Sequence, residues 1–314
     1  MATPRSQLVD SQQSLCYHLV SRCVRQAWLC GEHGGRCYEH RKAWIEARIL
    51  HLAKSFAVDV LAYAVMSNHF HLVVYFDPVA YEAWSDEEVA RRWVHAFPNP
   101  KVAGEVARSA LLNDRDRLSR CRSRLGSLSA FMQHLKQPIA VEVNREDNVK
   151  GHLFEQRFYS GALLDEAAVL AAMRYVDLNP FRARIADSLE EARHTSIRWR
   201  LRSLDNGAGK LHDEIKPVVS GTVPWIASES FVVSSQPIPR ITLNEYVQML
   251  EWTMTHQSEK VAGADERTLE FERYTHAAEL FRVRQRAYGS PNALRIWLQA
   301  RRFRFLEKAM AVAR

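Results

Sequence analysis

The chain lacks long hydrophobic runs. No stretch approaches about 18 uninterrupted apolar residues, and the first residues, Met1 to Gln7, do not form the apolar segment of a signal peptide. A membrane-spanning protein and a secreted one are therefore disfavoured. We expect a soluble, cytoplasmic protein with no membrane partner.

Cysteine is scarce, and the five residues are spaced for neither zinc nor disulfides. Four recur every seven residues and the last stands alone: Cys16, Cys23, Cys30, Cys37 and Cys121. Zinc sites use closely spaced pairs, and a disulfide framework needs an even count. We interpret the cysteines as reduced thiols, with a metal cluster as the alternative.

Internal repeats and low-complexity tracts are absent as well, whereas aromatic residues and arginine are plentiful. A chain of 314 residues with 47% hydrophobic residues, 8 Trp and 13 Phe can bury a large core. The net charge of +7 permits a polyanionic partner. Arginines concentrate in three segments, 115–124, 174–202 and 282–304, for which an ordinary solvated helix face is the alternative.

Hydrophobic periodicity predicts an α+β chain. The N-terminal pattern indicates a strand over 15–25, a helix over 38–56, and strands over 58–66 and 69–76 joined by a tight turn. The later pattern indicates a helix over 128–143 that Pro138 kinks or divides, a strand over 153–159, and a helix over 166–178 that ends before Pro180.

Composition divides the chain into three parts. Residues 1–202 form the main domain, and within it 77–126 is typical of an insertion with a short helix, a proline break and a basic helix. Residues 203–240 are rich in Gly, Pro and Ser and are expected to be a linker or irregular segment. Residues 241–314 are expected to form a mainly helical extension that begins with a capping box.

Two histidines stand two residues apart in the strand predicted over 69–76. Side chains at this spacing share one face of a strand, so His69 and His71 could together bind one divalent metal ion. Because the chain has 13 histidines, one such triplet is unsurprising by chance, and ordinary strand residues are the alternative.

Tyr175 and Asn179 are four residues apart at the end of the helix predicted over 166–178, and residues so spaced project from one face. A tyrosine near a metal can act as a covalent nucleophile, and an amide oxygen can complete the coordination of a hard cation such as Mg²⁺ or Mn²⁺. A half-buried helix aromatic and a helix-ending asparagine are the alternatives.

Five segments of the chain carry short sequence motifs, and both the motifs and their order along the chain are informative. They are Tyr17–Arg22, Ala64–Val74, Phe131–Leu135, Gly151–Phe158 and Arg174–Ala183. In this order they resemble the motifs of the REP-associated tyrosine transposases, within the wider group of single-tyrosine HUH transposases. Five motifs in order are far less expected by chance than a histidine pair alone.

The resemblance implies a ferredoxin-like or RRM-like antiparallel β-sheet with flanking helices, and it implies roles for four residues. His69 and His71 would bind the metal, Mg²⁺ or Mn²⁺, with help from Asn179. The metal would polarise a scissile phosphate of single-stranded DNA, and Tyr175 would attack it to leave a 5′-phosphotyrosine and a free 3′-OH. Two other functions stay open: a metal-dependent phosphodiesterase that uses water, and a domesticated, non-catalytic hairpin-binding protein.

The resemblance also implies a partner, single-stranded DNA folded into palindromic hairpins, which would bring the protein to the nucleoid. Arg157, Arg174, Arg182 and Arg184 flank the predicted site and are the candidate phosphate contacts. The basic C-terminal helix could extend this surface or join two copies in a homodimer.

The chain departs from the family pattern at two positions beside the site. Ser67 stands where family members often carry proline, which alters the turn but removes no ligand. Arg184 stands where many carry glycine, so we expect the chain beyond the helix to run differently.

Overall fold

A five-stranded sheet with helices on both faces forms the centre of the protein. The computed structural model describes residues 9, 15–24, 30, 32–33, 36–77, 80–205, 241–256, 281 and 284–300. The strands are β1 (Leu15–Arg22), β2 (Glu32–His33), β3 (Arg36–Cys37), β4 (Val58–Val65), β5 (His69–Phe76), β6 (Tyr159–Leu163) and β7 (Ala287–Tyr288). The main sheet has the order β4-β5-β1-β6-β7, and β2 pairs with β3 separately.

The described helices lie between the strands and after them. They are α1 (His40–Ala53), α2 (Asp86–Ala96), α3 (Gly104–Leu112), α4 (Arg115–Leu125), α5 (Leu128–Glu146), α6 (Glu166–Asp177), α7 (Asn179–Arg182), α8 (Ser196–Asp205), α9 (Leu243–Thr255) and α10 (Pro291–Ala300). None of them has the length and apolar character needed to cross a bilayer.

The central strands follow the ferredoxin-like order βαββαβ. The chain forms two interleaved units, β1-α1-β4 and β5-α5-β6. In the sheet, β5 lies between β4 and β1, β1 lies between β5 and β6, and each of these neighbouring pairs is antiparallel. The predicted α+β class with an antiparallel ferredoxin-like sheet is therefore confirmed. One addition was not predicted: β7 pairs parallel with β6 and extends the sheet.

The alternation of side chains along the strands divides the core between the two faces of the sheet. Tyr17 and Leu19 of β1 belong to the core that includes residues of α1 and α5, whereas Cys16 belongs to the core that includes residues of α6 and α9. A β-bulge at Leu61 shifts the register of β4, and the Leu61 carbonyl accepts a hydrogen bond from the Arg200 guanidinium.

Two predicted elements differ from the structure. The strand predicted over 153–159 is wrong, because β6 begins at Tyr159; Leu153, Phe154 and Phe158 are instead buried apolar residues of the preceding loop. In the insertion, two helices, α3 and α4, take the place of one basic helix. The segment touches the end of β1 only through an isolated bridge between Phe154 and Cys23, and its apolar residues pack on the core as part of a loop.

Helix α5 continues through Pro138 as one helix and is not divided. Pro138 has no N–H to donate to the His134 carbonyl one turn earlier. That carbonyl accepts a hydrogen bond from Nε of Arg48 in α1 at 3.2 Å instead. A contact between the two helices therefore satisfies the group that the proline leaves open.

Arg184 adopts the left-handed conformation at the end of α7, with φ of 55°. Its N–H donates to the Phe181 carbonyl and the Ile185 N–H donates to the Pro180 carbonyl, each at 2.9 Å, which is the Schellman arrangement. Glycine is the residue that favours this conformation. The chain therefore turns at Arg184 as it would at glycine, and a course different from that of family members stays a prediction.

The C-terminal part packs on the same core as the main domain. Tyr246, Met249 and Leu250 of α9 are fully buried with residues of α6, and the predicted capping box begins α9 at Thr242. The predicted linker lies outside the described residues from 206 onward, and the predicted domain boundaries stay predictions. All five cysteines are free thiols.

Candidate active site

His69 and His71 lie on β5, between β4 and β1 in the sheet. The intervening Phe70 belongs to the opposite core, as strand alternation requires, and the two imidazole centroids are 4.8 Å apart. His69, the first residue of the strand, is half-buried, whereas His71 is only 4% exposed. The pair therefore runs from the rim of the sheet into the protein.

Hydrogen bonds orient both imidazoles. The amide oxygen of Asn68 accepts a hydrogen bond from Nδ1 of His69 at 2.6 Å, which leaves Nε2 of His69 as the nitrogen with a lone pair. Nδ1 of His71 lies 3.0 Å from Nε2 of His18 on β1. Nε2 of His71 is buried and has no hydrogen-bond partner among the described residues.

These three imidazoles are neutral near pH 7. Burial lowers the pKa of His18 to about 3 and that of His69 to about 4, and the charge of Arg284 adds to both effects. Burial, followed by the nearby His18 and His69, holds the pKa of His71 well below its usual range. Neutral imidazole is the form that binds a metal ion.

Tyr175 meets the histidines from helix α6. Its half-buried ring is edge-on to two of them, with centroids 5.7 Å from that of His71 and 6.0 Å from that of His18. The guanidinium carbon of Arg182 lies 5.2 Å from the centre of the tyrosine ring. The structure thus brings the predicted nucleophile together with one predicted metal ligand and one predicted phosphate contact.

Asp177 anchors the end of α6, two residues beyond Tyr175. Its buried carboxylate accepts hydrogen bonds from the Ser196 hydroxyl, from the Ile197 N–H at 2.9 Å and from the Tyr246 hydroxyl at 2.8 Å. Burial raises the pKa of this carboxyl, and the nearby Arg200 and these hydrogen bonds oppose the rise. The turn that carries Tyr175 is therefore joined to α8 and α9.

Asn179 is half-buried and begins α7 immediately after α6 ends. In the part of the chain that the structure describes, no hydrogen bond joins its side chain to His69 or His71. Its role as a third metal ligand stays a prediction.

The predicted phosphate contacts lie in different environments. Arg157 and Arg184 are exposed, and Arg182 is half-buried beside Tyr175. Arg174 is 1% exposed, and its Nη1 donates to the Thr253 hydroxyl of α9 at 3.4 Å. This buried position does not suit the phosphate contact predicted for Arg174, because its side chain leaves α6 on the side that packs against α9.

A cavity of about 370 Å³ joins His71 and Tyr175. The further lining residues include His18, Arg22, Tyr159, Phe281 and Arg284. Strand alternation places His18 and Arg22 on one face of β1. Only the pairing of β1 with β5, in which Arg22 lies opposite His69, shows that this is also the face of the two histidines. No local pattern marks Phe281. Arg284 belongs to the arginine-rich segment 282–304, but only the fold shows that both residues reach the cavity from the C-terminal part.

A divalent metal ion fits the histidine pair. Both residues are neutral, and His69 has a lone pair on Nε2. The buried Nε2 of His71 has no partner in the described part of the chain, and a metal bond would satisfy it. No group of three or more His, Cys, Asp or Glu suited to a metal occurs within the described ranges. Further ligands would therefore come from Asn179, water or substrate oxygen, as in an open catalytic site.

Comparison with known proteins adds a weak structural similarity. No family model matches the chain, and no curated protein matches it. Among solved structures, the chain is similar to that of a REP-associated tyrosine transposase bound to a REP hairpin, with 10% sequence identity and a TM-score of 0.39. The overlap covers 76% of this chain and 99% of the other.

Proposed function

We propose that the protein is a transposase-type DNA strand transferase that cleaves and rejoins single-stranded or hairpin DNA with Tyr175 as its nucleophile. His69 and His71, with Asn179, would hold one Mg²⁺ or Mn²⁺ ion. The observation that carries the proposal is the placement of Tyr175 beside His71 on one cavity, with ring centroids 5.7 Å apart.

The buried imidazole nitrogen of His71 supports a site rather than simple packing. A buried polar atom without a partner costs free energy, and natural proteins keep few of them. Tyr175 remains half-buried although most of α6 is buried. A nitrogen without a partner among the described residues and a tyrosine that is partly accessible suit a cavity that binds a ligand.

Positive charge at the same cavity suits a phosphate. Arg22 and Arg284 line it, and Arg182 lies over the Tyr175 ring. Such cations hold the backbone of a nucleic acid. Tyr159 and Phe281 also line the cavity and offer aromatic rings on which a base of a single strand could stack.

In the proposed step, Oη of Tyr175 forms a bond to phosphorus while the bond from phosphorus to O3′ breaks. The tyrosine hydroxyl gives up its proton and O3′ takes one up, so the products are a 5′-phosphotyrosine and a free 3′-OH. When bound, the divalent ion supplies Lewis-acid polarisation of the phosphate. Attack by a second 3′-OH reverses the step and joins strands without an external energy source, because the phosphodiester energy is kept in the tyrosine ester.

Labelled hairpin oligonucleotides test the proposal. The protein is incubated with Mg²⁺ or Mn²⁺ and DNA labelled at the 3′ end, and the products are separated on a denaturing gel. We expect label to migrate with the protein, and we expect chelator and Tyr175→Phe each to abolish this species. Tyr159→Phe is a matched control from the same cavity, because the Tyr159 hydroxyl is already hydrogen-bonded to Tyr288 at 2.7 Å.

The same gel separates the other two functions. Cleavage that persists in Tyr175→Phe would replace the covalent mechanism with hydrolysis by water. Binding of hairpins without cleavage, under all metal conditions, would identify a non-catalytic hairpin-binding protein.

A further inference from the structure

His18 is a buried histidine that the proposed chemistry does not use. It lies on β1, is 2% exposed, and its ring is nearly parallel to that of His71, with the planes 9° apart and the centroids 5.2 Å apart. The rings of Tyr159, Tyr175 and Phe281 meet its ring edge-on at centroid distances of 5.9, 6.0 and 5.4 Å. These contacts confine the imidazole to one orientation.

The hydrogen bond between the two imidazoles decides which nitrogen of His71 carries its proton. Nε2 of His18 and Nδ1 of His71 are 3.0 Å apart, so one donates and the other accepts. If His71 donates, its Nε2 has a lone pair and can bind a metal ion. If His18 donates, Nε2 of His71 carries hydrogen and cannot bind a metal ion.

We propose that His18 is a positioning residue that accepts the Nδ1–H of His71 and thereby holds His71 in its metal-binding tautomer. This inference rests on the proposed function, because it assigns His71 to the metal. It leaves a lone pair on the buried Nε2 of His71, which the metal would complete.

The hydrogen on His18 must then be on Nδ1, which is also buried without a partner among the described residues. His18 lines the cavity together with Tyr175. This donor therefore lies next to the reacting groups, where a bound oxygen of substrate or water could accept its hydrogen bond and remove the free-energy penalty of an unsatisfied donor.

Two variants separate hydrogen bonding from packing. His18→Gln keeps an acceptor at about the position of Nε2, whereas His18→Met has similar length and no acceptor of comparable strength. Mn²⁺ affinity of the full chain is measured without DNA by the loss of the free-ion electron paramagnetic resonance signal. We expect His18→Met to weaken Mn²⁺ binding by roughly 10- to 100-fold, and His18→Gln to restore most of the affinity.

A second readout does not require the metal. Long-range ¹H–¹⁵N spectra of histidine-labelled protein report the tautomer of His71, whose signals are identified by their loss in His71→Gln. We expect Nδ1–H in the wild type and in His18→Gln, and a mixture of tautomers in His18→Met. Thermal unfolding of each variant verifies that it is folded.

The outcomes separate the inference from the proposed function. Nε2–H on His71 in the wild type, or equal Mn²⁺ affinity in folded His18→Met and wild type, overturns the role of His18. Another outcome would support the tautomer assignment and contradict the metal-dependent function. In it, the wild type binds no Mn²⁺, but His71 carries Nδ1–H in the wild type and in His18→Gln and not in His18→Met.

Discussion

The ring of Tyr175 lies edge-on to the ring of His71, with centroids 5.7 Å apart. The two residues come from distant parts of the chain and meet because α6 packs across β4 and β5 on the histidine face of the sheet. Arg182 lies on the same tyrosine ring. The proposed nucleophile, metal ligand and phosphate contact thus depend on one packing arrangement.

Neutralising Arg22 or Arg284 should weaken hairpin binding without affecting the fold. Both side chains line the cavity, and each would contact a phosphate if DNA enters it. Log affinity falls as log salt concentration rises, and we expect Arg22→Gln and Arg284→Gln each to make this slope shallower by about 0.7 to 1, measured by fluorescence anisotropy. Arg108→Gln is the control, because that arginine is exposed and paired with Glu105 on α3. Equal slopes in all three variants would exclude the cavity as the phosphate site.

Removing the carboxylate of Asp177 should destabilise the protein strongly. Asp177→Ala leaves three buried donors and the charge of Arg200 without their acceptor, so we expect a loss of about 3–5 kcal/mol in the free energy of unfolding. Tyr246→Phe deletes one of these hydrogen bonds and should cost about 1 kcal/mol. Urea unfolding measures both, and similar losses in the two variants would show that Asp177 does not anchor α6.

Replacing Arg184 by glycine should stabilise the fold while weakening DNA binding. The backbone φ of 55° is unfavourable for a residue with a side chain, so Arg184→Gly should raise the free energy of unfolding by about 0.5–1 kcal/mol. Arg184→Ala removes the same guanidinium but keeps the unfavourable backbone, so both variants should lose the same hairpin affinity and only glycine should gain stability. A glycine variant no more stable than the alanine one would contradict this account of the turn.

Local signals explain the elements that the sequence predicted well. β4 and β5 are mostly apolar, and the short connection between them contains the polar pair Ser67 and Asn68. Helix α6 begins where Asp165 accepts a hydrogen bond from the Ala168 N–H, as its position before an apolar stripe predicts. Strand spacing also placed His69 and His71 on one face, because alternation is a property of the strand itself.

Long-range packing explains what the sequence did not reveal. Helix α6 is buried on more than one side, by the sheet and by α9, so periodicity could not show that Arg174 faces inward. β7 and Phe281 reach the site only through tertiary contacts. The partner of His71 was hidden for the same reason: His18 is adjacent to it only after β1 and β5 have paired.

The most direct test of the central claim is the chemical identity of the residue joined to DNA. Protein incubated with metal and a hairpin substrate is digested with nuclease and trypsin, and the adduct is located by tandem mass spectrometry. Trypsin releases Tyr175 within the peptide Tyr175–Arg182, which contains no other tyrosine. The account predicts a phosphonucleotide on Tyr175 of this peptide, formed only with metal present. An adduct on another residue, or cleaved DNA with no adduct at all under quenching conditions, would contradict it.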